Sequence, residues 1–374
     1  MELINRHVRN LPPYNAGLHM SRFRAQFGRD CLAKLDSNES PYGASPAAQK
    51  AVLAAANDLA RYPDGNGSDL RSELAKLLDH DAMSIVLGNG SEDLIYAAYS
   101  AVLSPGDHVV TVTPGFGLHE LAAVRLNVRV RKIRYLSGWL TPMDDLVGAL
   151  KSRPKIFAIS SPSNPLGTVL PLSELDRLLA ATTPDTLFLF DEAYFEYLPD
   201  DIATATLGLL KQSEANWISL RTFSKAYGLA GLRVGYAICK SQAIAVALRS
   251  MATPFNVNAV AQRAATAALA DKAHLADVVS RTRRARDALV DGLRRLGFEP
   301  APSHSNAVFF RTEHPSAGLV ARLRENGVLV KPWLEEGWSD YLRVSTGTEG
   351  EMARFLDVLE CLKVAPGHAK GAWF

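Results

Sequence analysis

A two-part α/β fold is predicted for this chain: a large domain with a mainly parallel sheet covered by helices, followed by a smaller α+β domain. Three observations predict it. From residue 85 to residue 222 short apolar runs of strand length alternate with helical patterns, and buried strands separated by helices imply a parallel sheet covered on both faces. Beyond about residue 250 the alternation stops, and long Ala-rich helical stretches precede three short strand candidates. A chain of 374 residues can bury a large core, and its length favours two domains. The expected divisions are an N-terminal arm over 1–35, a large domain over 36–250 and a small C-terminal domain over 251–374.

Taken in order, the arm holds VRNLPPYNAG with little helical periodicity, so it reads as an extended segment lying on another surface. KLDSNESPYG is a turn-rich entry. Helical patterns at 46–60 and 68–79 are separated by RYPDGNG, whose Pro and Gly make a loop. IVLGNG then leads into SEDLIYAAYSAVL, HVVTVTPG into GLHELAAVRL, VRVRKIRY into MDDLVGALK, and KIFAISSPSNPLG into SELDRLLAAT. TLFLFDEAY and NWISLRT close the series. In the second part, helical stretches over 257–297 precede the strands NAVFFRT, GVLVKP and YLRVST, which interleave with helical 315–326 and 349–363.

Composition excludes several classes of function. With 47% hydrophobic and 21% charged residues and a net charge of only +2, no broad field points to nucleic acid or membrane. The basic run RTRRAR at 281–286 is the exception, and its helical setting makes it a solvated face. Cys31, Cys239 and Cys361 are odd in number and far apart, so neither a disulfide framework nor a zinc site is expected, and no metal. The first ten residues are polar, and nowhere do some eighteen apolar residues run together, so the expected location is cytoplasmic.

Ligands bind beyond the carboxyl ends of the strands in an open parallel sheet, and four strand ends here carry polar residues. Gly88-Asn89-Gly90-Ser91 is a glycine turn whose helix-start N–H groups would cradle a phosphate; as a plain turn, Ser91 would be the N-cap. Asn164-Pro165 offers an amide that can donate to a phenolate oxygen, or an ordinary turn asparagine. Asp191 ends the apolar run LFLF, where a carboxylate is costly unless a cation or good donors meet it; a protonated pyridine would serve, with Tyr194 offering a phenol nearby. Lys225, between Thr222, Ser224 and Arg233, joins one amine to several anion-binding groups. Together these are the contacts that pyridoxal 5′-phosphate demands: phosphate cradle, ring-nitrogen carboxylate, phenolate donors and Schiff-base lysine. No G-x-G-x-x-G opens the first βα turn, which disfavours a nicotinamide dehydrogenase.

SNESPYG, RYPDG, GNGSED, SPSNPLG, FDEAYFEY, RTFSKAYGLAGLRVGY and LRVSTGT occur in an order and spacing that resembles the fold-type I pyridoxal-phosphate aminotransferases. VRNLPPY narrows the resemblance to the histidinol-phosphate aminotransferase group, over nearly the whole chain. The resemblance implies Lys225 as Schiff-base lysine and catalytic base, Asp191 on the pyridine nitrogen, and Asn164 with Tyr194 on the phenolate oxygen. It puts Gly90, Ser91, Thr222, Ser224 and Arg233 on the phosphate. It implies that Tyr62 reaches the neighbouring subunit's cofactor, hence a homodimer with shared sites, and that the arm packs on the small domain and the partner. Arg343 would read the substrate's anionic group and Tyr14 close over it, and Asn164-Pro165 would be a cis bond. Three positions depart from the pattern. Phe116 stands where a tyrosine usually stacks on the cofactor ring, Leu166 where a threonine is common, and Lys331 where a second arginine tends to meet the substrate phosphate.

The implied reaction is transamination of L-histidinol phosphate with 2-oxoglutarate. An aromatic or broad-specificity amino-acid aminotransferase is the alternative, favoured by Lys331 and Trp333, and a phosphothreonine decarboxylase on the same scaffold comes after it. A cofactor-sensing transcription regulator would need an added DNA-binding domain, for which the arm before Leu35 leaves no room.

Overall fold

The computed structural model describes residues 3–4, 8–9, 11 and 17–364. Its strands, in chain order, are β1 (Ala33–Leu35), β2 (Ile85–Gly88), β3 (His108–Thr113), β4 (Arg129–Arg134), β5 (Ile156–Ser160), β6 (Leu187–Asp191), β7 (Asn216–Thr222), β8 (Gly235–Cys239), β9 (Ala307–Arg311), β10 (Val328–Pro332) and β11 (Tyr341–Ser345). Seven of them form one sheet in the order β2-β8-β7-β6-β5-β3-β4, parallel throughout except for β8, which runs against both β2 and β7. The mainly parallel α/β fold read from the sequence is the fold observed.

The central strands are apolar on both faces because each face meets helices. Along β6, Phe188 and Phe190 enter one core with Leu146 and Leu150 of the Met143–Leu150 helix and Leu175 and Leu178 of the Leu172–Ala181 helix. Leu187 and Leu189 point the other way, onto Leu94 and Ala98 of the Ser91–Val102 helix and Ala122 of the Leu118–Arg125 helix. The two-residue period of a strand thus divides one run between two cores. The edge strand β4 breaks the buried-strand reading: Arg129, Arg131, Lys132 and Arg134 are exposed, and such charge protects an open edge from pairing.

β1, β10, β11 and β9 form a second sheet in that order, with β1 parallel to β10 and the other pairs antiparallel. Its core draws Leu289, Val320, Phe355 and Leu359 from the helices that cover it. Three expectations change here. The arm is not all extended: Met20–Phe27 is a helix, N-capped by the His19 side chain and closed by the left-handed Gly28. Met20, Phe23 and Phe27 fall at helical spacing, with Phe23 buried and its ring 4.7 Å from that of Phe27, a stripe too short to stand out beside VRNLPPYNAG. Leu35, given to the arm, ends a strand paired at Val330. Past residue 250, the Ala259–Ala270 helix buries Ala261, Ala264, Ala265 and Ala268 in the same core as Leu70, Leu74 and the large sheet.

The basic run is a solvated face only in part: Arg281 and Arg284 are exposed, but two of its arginines turn inward. Arg283 donates to the Tyr197 and Leu198 carbonyls at 3.1 and 2.8 Å, and Arg286, buried, reaches Ser305 O. Arg281 lies over the Tyr42 ring at 3.9 Å. Among the described residues no helix is long and apolar enough to cross a membrane, and no cluster of His, Cys, Asp or Glu could hold a metal.

Candidate active site

Strand register gathers the predicted residues at the carboxyl edge of the large sheet. Ser160 pairs with Asp191 and Asp191 with Leu220, so β5 and β6 end level and β7 runs two residues farther, to Thr222. Asp191 is buried; its Oδ1 accepts the Ala193 N–H at 3.0 Å, and its Oδ2 lies 3.7 Å from His119 Nε2. That imidazole, 2% exposed, has Nε2 without a hydrogen-bond partner and Nδ1 at 3.5 Å from the Tyr99 hydroxyl. Its aspartate contact was not legible in GLHELAAVRL, where His119 falls in an ordinary helical pattern.

Lys225 lies three residues past the end of β7, in a turn closed by Gly228 N–H to Lys225 O and Leu229 N–H to Phe223 O, both 3.0 Å. Gly228 is required there: φ is +67°, and a Cβ would lie 2.2 Å from the Gly43 carbonyl oxygen. The Lys225 ammonium donates to Ser37 O at 3.4 Å and lies 6.0 Å from the centre of the Tyr194 ring. Burial, and then the positive charge of Arg343, push this amine down to about 8.

At the far edge, Gly235 of β8 pairs with both Gly88 and Thr222, which brings the first glycine turn beside the lysine turn. Gly90, not Ser91, is the N-cap, with φ +81°; Ser91 is the first helical residue. That φ is what favours glycine at position 90, where a Cβ would lie 2.5 Å from Arg233 Nη2 and make the guanidinium shift. Thr222 donates to Ser224 Oγ at 2.9 Å, and Arg233 Nη2 reaches Glu92 at 3.4 Å. A helix start, two hydroxyls and a guanidinium make a donor set suited to an anion.

The second sheet closes the other side. Lys331 and Arg343 are paired in register across β10 and β11, and Lys331 is pushed down by burial and then by Arg343. Arg343 donates from Nη1 to Asn164 Oδ1 at 2.9 Å and from Nη2 to Asp36 O at 2.7 Å. Asn164-Pro165 is cis, as expected, and Leu166 is wholly buried. Phe116 meets His119 edge-on at 6.0 Å. Tyr62 does not join the cluster within this chain: it is 81% exposed and stacked on Phe255 at 4.4 Å. Tyr14 lies outside the described residues.

Two groups of neighbours went unassigned in the sequence. Asn38, at φ 52°, donates to the Tyr194 hydroxyl at 2.7 Å, while its Oδ1 accepts Ser345 Oγ at 2.7 Å and its carbonyl accepts Asn306 Nδ2 at 3.0 Å. A polar residue just past an apolar strand was the available signal. Behind Asp191, the fully buried Glu192 accepts Arg221 Nε and Nη2 at 3.1 Å each and the Ser219 hydroxyl. Arg221 stacks on the Phe195 ring at 3.3 Å, and burial pushes the neighbouring Glu196 up to about 7.

A half-buried amine and a buried carboxylate at adjacent strand ends, between an anion cradle and a cation pair, define an α/β enzyme able to engage an anionic carbonyl compound. The chain belongs to the family of class I and II aminotransferases, which residues 31–359 match. It is 39% identical over 361 residues to histidinol-phosphate aminotransferase 1 of Mesorhizobium japonicum, covering 96% of this chain and 98% of that one. It is 38% identical to histidinol-phosphate aminotransferase 3 of Rhizobium meliloti over 96% of each. Among solved structures it is similar to histidinol-phosphate aminotransferase from Sinorhizobium meliloti in complex with pyridoxal-5′-phosphate, with a TM-score of 0.89 and 26% identity over 98% of this chain and 99% of that one.

Proposed function

We propose that this chain transfers an amino group from L-histidinol phosphate to 2-oxoglutarate, giving imidazole acetol phosphate and glutamate, with pyridoxal 5′-phosphate as cofactor. The observation that carries the reading is Lys225, an amine pushed down to about 8 at the carboxyl edge of the sheet that also bears Asp191. The residues present fit the cofactor. Asp191 would hold the ring nitrogen, Asn164 and Tyr194 the phenolate oxygen, Phe116 the ring face and Lys225 the aldehyde carbon. Gly90, Ser91, Thr222, Ser224 and Arg233 would hold the phosphate, the Arg233 guanidinium lying against the open face of Gly90 at the helix start.

When bound, the cofactor supplies an aldehyde that exchanges amines and a protonated ring that withdraws the electron pair left on the donor's α-carbon. Asp191, taken out of water, favours a positive charge on the nitrogen it faces. Lys225 Nζ removes the proton from the donor's α-carbon, a task for a neutral amine with a pKa near the working pH. Arg343 and Lys331 read the anionic end of each substrate, phosphate or carboxylate, since both accept paired N–H donors.

Tyr62 would reach the cofactor phosphate of a second copy, making a homodimer with shared sites, and its 81% exposure supports that role. The setting we infer is cytoplasmic histidine biosynthesis. An aromatic or broad-specificity reading is favoured by one observation: an ammonium rather than a guanidinium at Lys331, next to the buried Trp333. A half-reaction panel separates them. Purified holoprotein is offered histidinol phosphate, phenylalanine, tyrosine and phosphothreonine in turn, and loss of its visible absorption band is timed. Histidinol phosphate is expected to be fastest; a faster phenylalanine or tyrosine would move the assignment, and carbon dioxide release from phosphothreonine without consumption of an oxo acid would make the chain a decarboxylase.

A further inference from the structure

The turn between β10 and β11 is fastened by side chains to a turn of the large sheet more than two hundred residues away. Glu335 Oε2 accepts the Gly115 backbone N–H at 3.2 Å and the Trp333 indole N–H at 3.1 Å, while Oε1 lies 3.4 Å from the Lys132 ammonium. Beside it, the Trp338 indole N–H donates to Thr113 Oγ1 at 3.0 Å. Arg134 donates to Gly337 O at 3.3 Å and stacks on the Trp338 ring at 4.1 Å.

Each of the two fastened turns adjoins residues of the proposed site. Gly115 comes immediately before Phe116, and it must be glycine because a Cβ would lie 2.4 Å from the Val112 carbonyl oxygen. On the other turn, Trp333 follows Lys331 by two residues, and Lys331 is in register with Arg343. A carboxylate accepting two N–H bonds and facing an ammonium is a strong point of attachment, and this one is only 17% exposed.

We propose that Glu335 is a positioning residue that holds the Gly115-Phe116 turn against the Trp333 turn, so that the aromatic face at 116 and the cations at 331 and 343 act as one unit. The roles of Phe116, Lys331 and Arg343 rest on the function proposed above. Glu335 itself need touch neither cofactor nor substrate. Its effect passes through the Gly115 N–H, for which a water cannot act as acceptor with the same geometry once the side chain is shortened.

The test compares Glu335→Ala and Glu335→Gln holoprotein with the parent, alone and combined with Phe116→Leu. Measured are the circular dichroism of the cofactor's visible band, KM and kcat for histidinol phosphate, and the melting temperature. Loss of a hydrogen bond to a charged group predicts about a ten-fold rise in KM for Glu335→Ala, with a changed dichroic band and a smaller change in kcat. Glu335→Gln, which keeps an oxygen for Gly115, is expected to restore most of both, and if Glu335→Ala does not fold, Glu335→Asp, whose shorter side chain withdraws the carboxylate from Gly115, still has to shift the band. In the Phe116→Leu background the Glu335 effect on KM should shrink well below its single-variant size. A lowered melting temperature with an unaltered band and KM, or effects that multiply independently of Phe116, would overturn the proposal. A parent protein with no visible band would instead count against the functional reading.

Discussion

Lys225 has to be uncharged to attack a carbonyl, and two features of its surroundings bring that state within reach of neutral pH: removal from water, and the like charge of Arg343. Because the amine is pushed down to about 8 from 10.5, it is protonated below about pH 8 and neutral above. Capture of pyridoxal phosphate by cofactor-stripped protein is therefore expected to accelerate as pH rises and to level off above about 8. A stopped-flow series across pH 6 to 10 checks this, and a rate that does not change with pH would show that another group limits capture. Lys225→Ala is expected to abolish both the visible band and turnover. For Asp191→Asn we expect a loss of rate of about a hundred-fold or more with a much smaller loss of cofactor affinity, as for a group whose charge is needed in the transition state. Equal losses, measured by titration and steady-state kinetics, would make Asp191 merely structural.

Pairs of strands, not single residues, set the site's shape. β8 runs antiparallel between β2 and β7, and Gly235 on it faces the Ser91 N–H and the Arg221 carbonyl; a Cβ there would lie 2.7 and 2.8 Å from those backbone atoms. Gly235→Ala is thus expected to cost about 1–3 kcal/mol, as overpacking against rigid neighbours does, and to weaken cofactor binding, read by denaturant unfolding and by titration. The pair of Glu192, just past β6, and Arg221 on β7 is buried, so removal of one partner strands a charge. Arg221→Leu is expected to cost about 3–5 kcal/mol, and a Glu192→Leu change added to it to recover much of that loss. Denaturant midpoints of the four proteins decide this; equal and additive losses would mean that the pair is not coupled.

Taken together, the two sheets share a core, since Phe309 of the second sheet and Trp333 of the turn after β10 are buried in the same cluster as Phe157 and Phe188 of the first. That continuity is why the expected boundary near residue 250 does not mark a break in packing. Shared sites between two copies have a direct test. Lys225→Ala and Tyr62→Ala proteins, each impaired alone, should regain activity when mixed and allowed to exchange subunits, because one of the two sites in each mixed dimer then holds both native residues. No gain on mixing, with mixed dimers seen by native mass spectrometry, would remove Tyr62 from the partner's site. Much of this molecule was legible in the chain itself. The alternation of apolar runs with helical patterns carried the parallel sheet, and Asp191 at the end of LFLF or Lys225 among hydroxyls stood out because a polar group at an apolar strand end has to be met by something. Local periodicity cannot see which groups meet. His119 on Asp191, Asn38 on Tyr194, Arg286 turned inward and Glu335 on Gly115 are contacts between segments far apart in the chain. Only folding, which fixes strand order and register, decides them.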